Sequence, residues 1–226
     1  LEGMGFRSER LEVNYPGIDV GYFRTINGAG KKSYDGVFLW RLHPSKGIFD
    51  LIEIWSLVVA RAPHARLAIV GGGDEGVRKE LEARIGAAGL SSCVDLLGTL
   101  GDEEAFGTIK AGQVFLFPSR EEGFGMAILE AMACGVPTVA WDLPVYREVF
   151  TAGLVRIPPL RCNAFAETVI GLLQDADRRA AVRLEAMEIV PRYDWRQVVA
   201  REMSLIRKAV AAARSDLLPS LEGGAE

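Results

Sequence analysis

The sequence predicts an α/β fold: a doubly wound parallel sheet flanked by helices, followed by a helical C-terminal segment. Two observations carry this reading. From Gly36 onward, short β-rich apolar runs alternate with helical patterns, as in right-handed βαβ units on a parallel sheet. Glycines and charged residues then recur just after the apolar runs, where strands end and helices begin.

Residues 1–35 read as an irregular segment, with Tyr15-Pro16-Gly17-Ile18-Asp19 as a turn signal. Gly28-Ala29-Gly30-Lys31-Lys32-Ser33 resembles part of a phosphate-binding P-loop. It lacks the first glycine at the required spacing and no strand leads into it, so it is read as a flexible loop. Val37-Phe38-Leu39-Trp40 is the first strand. Lys46 to Ala60 is helical, with Ile48, Leu51, Ile52, Trp55, Val58 and Val59 on one stripe. Leu67-Ala68-Ile69-Val70 is the second strand, closed by Gly71-Gly72-Gly73, and Asp74 caps a helix to about Ala88. Val94-Asp95-Leu96-Leu97, closed by Gly98, is the third; Asp102 caps the helix that follows to about Ala111.

Val114-Phe115-Leu116-Phe117 reads as a buried strand running into a helix that contains Glu130. A strand over Val136–Ala140 comes next, then a weaker one over Gly153–Ile157 and a helix from about Ala164 to Leu173. The last third is helical. Trp195, Val198, Val199, Met203, Ile206 and Val210 fit one amphipathic helix, and Leu205 falls off the stripe. The chain thus divides into an N-terminal linker segment over 1–35, a sheet domain over 36–190, a helix over 191–214 and a frayed tail over 215–226.

Composition narrows the function classes. Hydrophobic residues make up 49% of the 226 and charged residues 25%, which suits a soluble protein with a substantial core. A net charge of −4 gives no electrostatic footprint for nucleic acid or an anionic membrane. Cys93, Cys134 and Cys162 are odd in number and widely spaced, so they suggest neither a disulfide framework nor a zinc site. No apolar run approaches the ~20 residues of a membrane span and no signal peptide opens the chain. The expectation is a soluble cytoplasmic protein.

In a doubly wound sheet, ligands bind beyond the carboxyl ends of the strands. Arg41 and Lys46 follow the first strand, the triple glycine the second, Gly98 the third, and Glu122 to Glu130 the fourth. Two cations, close backbone approach at glycines and an open helix end make a pyrophosphate site. A carboxylate at Glu130 suits the two hydroxyls of a ribose. Each signal alone also has a plain reading: solvated loop charges, a flexible turn, or a helix-surface acid. Their convergence at one sheet edge predicts a nucleoside diphosphate with something attached.

The same residues carry a family resemblance. Glu122-Gly123-Phe124-Gly125-Met126-Ala127-Ile128-Leu129-Glu130 resembles the E-x7-E element of retaining GT-B glycosyltransferases of the family 4, or group 1, type. Phe117-Pro118-Ser119 precedes it and Glu130-Ala-Met-Ala-Cys-Gly-Val-Pro137 follows it as in that family. Arg41-Leu42 and Lys46-Gly47 match its GRL…KG element, Ile69–Gly73 its glycine-rich strand end, and Tyr15–Asp19 its interdomain linker. The resemblance covers roughly residues 12 to 210.

It implies a Rossmann-like domain that transfers a sugar from a nucleoside-diphosphate sugar, such as GDP-mannose or UDP-glucose, with retention of configuration. Arg41 and Lys46 would neutralise the leaving diphosphate, and Glu122 would contact donor-sugar hydroxyls. Glu130 would hold the ribose diol. Backbone N–H groups of Phe124, Gly125 and Met126 would hold the sugar and distal phosphate. Gly72 would line the donor site, with base contacts near Gly98 to Leu100. No cofactor or metal is expected, and Asp175-Ala176-Asp177 reads as solvated helix surface rather than a metal motif.

Three departures stand out. Trp40 replaces the glycine usual before Arg41, and either crowds the donor pocket or fills space. Pro144-Val145 stands in place of a frequent Gly-Gly pair before Glu148. Such enzymes have two Rossmann-like domains, and only the linker and the donor-binding half match here. The resemblance implies that the acceptor-binding N-terminal domain is a missing partner, that the helix around Trp195–Val210 crosses back onto it, and that the full enzyme sits at the inner face of a membrane or free in the cytoplasm. Competing readings are a non-catalytic nucleotide-sugar-binding module, a subunit of a split enzyme, or another GT-B enzyme such as a sugar-nucleotide epimerase, which the E-x7-E set disfavours. His43 reads as a variable loop residue and Cys134 as a small packed one.

Overall fold

The computed structural model describes residues 11–28 and 33–217. Most of the P-loop-like stretch, the first ten residues and the tail beyond Leu217 lie outside the described residues. The elements, in order, are α1 (Val20–Thr25), β1 (Tyr34–Leu39), α2 (Ile48–Arg61), β2 (Leu67–Val70), α3 (Glu75–Ala87), β3 (Val94–Gly98), α4 (Asp102–Lys110) and β4 (Gly112–Phe117). Then come α5 (Met126–Ala133), β5 (Thr138–Trp141), α6 (Pro144–Val149), β6 (Leu154–Ile157), α7 (Cys162–Gln174), α8 (Ala176–Ile189) and α9 (Trp195–Leu217).

Every neighbouring strand pair is parallel, and the sheet order is β3-β2-β1-β4-β5-β6. The chain winds outward from β1 to β3, returns, and winds outward again from β4 to β6, so this is the doubly wound topology expected from the alternation. α2 packs on α3 and α7, while α5 packs on α4 and α8, which covers both faces of the sheet. Burial on two faces explains why the strands are continuous apolar runs rather than alternating ones. Trp55, Trp141, Phe38, Phe115, Phe117 and Phe165 are fully buried. Gly36 leaves room for the Trp55 indole: a β-carbon there would stand 2.6 Å from its ring.

The structure corrects several boundaries. The segment before residue 36 is not irregular throughout, because it holds α1 and the start of β1. β1 begins at Tyr34 although tyrosine and aspartate precede a glycine there. Long-range partners recruit them: Asp35 accepts from the Arg66 N–H at 2.8 Å and from Gln113 Nε2 at 2.7 Å, and Tyr34 donates to Asp95 at 2.9 Å. Phe23 packs against Phe106 at 4.7 Å, and Lys110 Nζ donates to the carbonyls of Phe23 and Ile26, which ties α1's end down. Lys46 lies in a 3-10 turn, Pro44–Lys46, ahead of α2 rather than inside it. Val136 and Pro137 stay out of β5, since proline has no N–H for the ladder; its carbonyl instead accepts from Phe115 N at 2.8 Å. Asp175 sits at a break between two helices and caps α8 by accepting from Arg178 N.

By contacts the chain divides into two units, Gly21–Val190 and a second that joins Leu1–Val20 to Pro191–Glu226. In the second, Ile18 N donates to Tyr193 O at 2.8 Å and Trp195 N donates to Ile18 O at 2.9 Å. The turn at Pro16-Gly17 is thereby clamped to the start of α9, with Val198 buried against Gly17.

Candidate functional site

The site builds on β1 and β4, the neighbouring strands from which the chain winds in opposite directions. A crevice opens beyond their carboxyl ends. The loop after β1 carries Arg41 and Lys46; the loop after β4 runs from Pro118 to Gly125. Backbone stitches the two together. Arg120 N donates to Ser45 O at 2.8 Å, and Ser119 Oγ lies 3.4 Å from the same carbonyl. Gly47 has φ 69°, and a β-carbon on it would stand 1.7 Å from Pro118 O, so the loops close only around glycine. Arg120 adds a bidentate pair to Asp50 on α2, at 2.9 and 2.5 Å, and Asp50 is buried.

Within this frame Lys46 and Glu122 meet. Lys46 Nζ lies 2.6 Å from Glu122 Oε1, and the two side chains are 14% and 8% exposed. Fully buried Ser119 donates to the same oxygen at 2.8 Å. The ammonium also donates to Glu121 O at 3.3 Å and stands 5.6 Å over the Trp40 ring. A nearly buried cation and anion are thus held at the switch point, 76 residues apart in sequence.

Beside them α5 begins with no side-chain cap. Its N-cap is Gly125, at φ 106° and ψ 47°. The N–H groups of Gly125 and Met126 have no acceptor among the described residues. Unpaired N–H groups and the positive end of the helix dipole make this end a seat for an anion. Phe124 is buried against Phe150, with ring centroids 5.9 Å apart, so its place in the loop is set by packing.

One turn further along α5, Glu130 faces a cavity of about 490 Å3. Arg41, Trp40, Gly71, Gly72, Leu100 and Asp102 line it with Glu130. The Glu130 carboxylate makes no hydrogen bond or ion pair among the described residues. Burial, and then the nearby charge of Asp102, push its carboxyl up to about 7. Arg41 is exposed and ion-pairs with nothing among the described residues. An unengaged acid and an unengaged guanidinium on one cavity wall are available to a ligand. Trp40 both lines this cavity and fills space, packing edge-on against Phe117 at 6.3 Å.

The remaining sequence candidates fall nearby. Gly98 lines an adjoining cavity with Leu42, the triple glycine, Thr99 and Arg78. Gly71 lets the Trp40 carbonyl pass where a β-carbon would stand 1.8 Å from it, and Leu42 N donates to Gly72 O at 2.8 Å. These glycines bring two loops together as well as lining space. His43 caps the 3-10 turn by accepting from Ser45 N. Burial pushes the Cys134 thiol up to about 12, so it is protonated and packed at neutral pH. Among the described residues no group of three or more His, Cys, Asp or Glu is placed to hold a metal ion. No helix among them is long and apolar enough to cross a membrane.

Sequence reasoning did not single out Ser119, Asp50, Arg120 or Asp102 for the site. Ser119 stands three residues before Glu122 and was the nearest to being legible. Asp50 and Arg120 find each other across 70 residues, which no local pattern reveals.

The chain is 32% identical over 220 residues to a phosphatidyl-myo-inositol mannosyltransferase of Mycolicibacterium smegmatis, covering 94% of this chain and 55% of that protein. It is 28% identical over 210 residues to the GDP-mannose:cellobiosyl-diphosphopolyprenol alpha-mannosyltransferase of Xanthomonas campestris, covering 91% and 55%. The chain therefore spans about half the length of the curated relatives it matches. Among solved structures, an Anabaena protein crystallised with UDP-glucose superposes with a TM-score of 0.75 at 23% identity, over 93% of this chain and 60% of that one. The C-terminal domain of a group 1 glycosyl transferase from Francisella tularensis superposes at 0.66 and 20% identity, over 77% of this chain and 97% of that one. These structures share the fold. The model of the glycosyl transferases group 1 family matches residues 22–188, and the chain belongs to that family.

Proposed function

We propose that this chain is the donor-binding half of a retaining glycosyltransferase that uses a nucleoside-diphosphate sugar. The observation that carries the reading is the gathering of Lys46, Glu122, the uncapped start of α5, Arg41 and Glu130 beyond the ends of β1 and β4. In this reading Glu130 accepts the ribose hydroxyls, and the diphosphate lies between Arg41, Lys46 and the N–H groups of Phe124, Gly125 and Met126. Glu122 receives hydroxyls of the donor sugar. Gly72 and the stretch Gly98 to Leu100 border the nucleoside.

When the anomeric C–O bond breaks, its electron pair goes to the diphosphate. Arg41, Lys46 and the helix N–H groups hold that growing charge, so they bind the transition state better than the ground state. They supply positive charge at the place where a metal ion would otherwise supply it. The acceptor hydroxyl then bonds to the anomeric carbon on the face the diphosphate leaves, and its proton passes to the departing phosphate oxygen. The acceptor is held by a separate N-terminal domain, and this chain alone transfers poorly or not at all.

GDP-mannose is the first donor to test, because two relatives are named as mannosyltransferases and one of those names specifies GDP-mannose. UDP-glucose is the second, from the Anabaena neighbour. Both relatives' names place the acceptor on a lipid, which supports a peripheral site at the inner face of a membrane. Calorimetry with GDP, UDP and the two nucleotide sugars tests the reading. Binding that weakens at least tenfold in Glu130→Ala is expected; no binding at millimolar ligand, or binding indifferent to that change, sinks the ribose assignment. A nucleotide-sugar-binding module without catalysis is the second reading. Sugar transfer on supplying an N-terminal domain separates the two.

A further inference from the structure

Trp40 stands directly after β1, in place of the glycine usual there, and it is only partly buried. Its backbone is fixed. Trp40 N donates to Val70 O at 3.1 Å, and Gly71 leaves room for the Trp40 carbonyl. The ring is fixed too: it meets the fully buried Phe117 of β4 edge-on, with centroids 6.3 Å apart and planes at 82°. An indole braced on β2 and β4 is a rigid surface beside the crevice, and it lines the same cavity as Arg41 and Glu130.

Lys46 is the opposite kind of group, a compact charge on a flexible four-carbon stem. Its ammonium bonds to Glu122 Oε1 at 2.6 Å and to Glu121 O at 3.3 Å, and it stands 5.6 Å from the centroid of the Trp40 ring. The lysine side chain is 14% exposed, and an aromatic face holds a cation that has lost most of its water more firmly than an exposed one. These partners respond differently to an arriving anion. A carboxylate repels the anion and competes with it for the ammonium. The Glu121 carbonyl carries no net charge, but its bond is longer than usual. The indole face also carries no net charge, so it keeps its hold while the anion draws on the lysine.

We propose that Trp40 is a positioning residue: its indole face holds the Lys46 ammonium by a cation–π contact and keeps the cation at the crevice when an anionic ligand takes over from Glu122. The nature of that ligand rests on the donor-site reading above, whereas the hold of the ring on the lysine does not and can be measured without ligand. An indole that merely occupied space would depend neither on Lys46 nor on the electron density of its own ring.

The test without ligand is a double-mutant cycle read by thermal unfolding of wild type, Trp40→Leu, Lys46→Met and the double variant. Trp40→Leu should lower the melting temperature by about 2–4 °C more in the wild-type background than in the Lys46→Met background. An equal effect in both overturns the proposal. Should Lys46→Met fail to fold, tryptophan carrying one, two or three ring fluorines is placed at position 40 instead. Fluorine drains the negative face of the ring and barely alters its shape, so the melting temperature should fall stepwise; a level series overturns the proposal. With ligand, calorimetry with GDP-mannose on the same fluorinated series should show affinity falling by about threefold to tenfold in all. Affinity that holds level or rises along the series overturns the proposal. Failure of the wild type to bind any nucleotide sinks the donor-site reading and leaves the unfolding measurements to judge Trp40.

Discussion

At the scale of single residues, Glu130 ties stability to function through pH. Its carboxyl is raised from an ordinary 4.5 to about 7, by burial and then by Asp102, so the folded state binds its proton more firmly than the unfolded chain does. The destabilisation from ionising it is therefore absent below about pH 4.5 and complete above about pH 7. Accepting two hydroxyls requires the ionised form. Affinity for a nucleoside diphosphate is expected to rise from pH 6 to pH 8 and then level off. Glu130→Gln should bind weakly at every pH, yet melt close to wild type at pH 5 and above it at pH 8. A flat affinity profile in the wild type, or a variant no more stable at pH 8, would refute this account. Asp102→Asn should move the wild-type profile to lower pH, because a like charge is removed.

The elements that carry these residues depend on how the two site loops are closed. Gly47 is held by a positive φ and by Pro118 O, so Gly47→Ala is expected to cost at least about 2 kcal/mol in denaturant unfolding. Arg120→Ala leaves the Asp50 carboxylate buried without its cation. With the guanidinium half exposed in the folded state, the loss should be about 1–2 kcal/mol. Arg120→Lys should restore part of it but not the bidentate geometry. These braces also explain what was legible in the sequence. The strands announce themselves as apolar runs and the helices as stripes of period 3.6, so the sheet order's elements are found locally. Glu122 and Glu130 are legible because one strand-to-helix junction carries both. The bond from Lys46 to Glu122, the brace from Arg120 to Asp50 and the early start of β1 at Tyr34 are not. Each depends on partners brought close only by the parallel sheet. Pro137 misled in the other direction: the apolar run includes it, and the missing N–H excludes it.

For the whole molecule, the question is what covers α9. Trp195, Val199, Met203, Ile206 and Val210 recur every three or four residues along one face, and each is about half exposed. Val198, which the sequence places on the same stripe, is instead turned inward against Gly17. The exposed series is a continuous apolar face rather than scattered surface residues, and leaving it in water forgoes about 25 cal/mol per Å2 of coverable apolar area. Under the proposed function the cover is an N-terminal half against which this helix packs. Replacing Met203 and Ile206 together with glutamate puts two charges in the middle of the face. Both side chains are about half exposed in the folded chain, so its melting temperature should shift by less than about 2 °C. Nucleotide-sugar binding should also be unchanged, since neither residue lines the crevice beyond β1 and β4. The transfer activity gained by supplying the N-terminal half, however, should fall at least about tenfold, because burying either charge in an apolar contact costs more than one such decade in affinity. Activity undiminished by both charges would show that α9 leaves this face in solvent even in the complete enzyme.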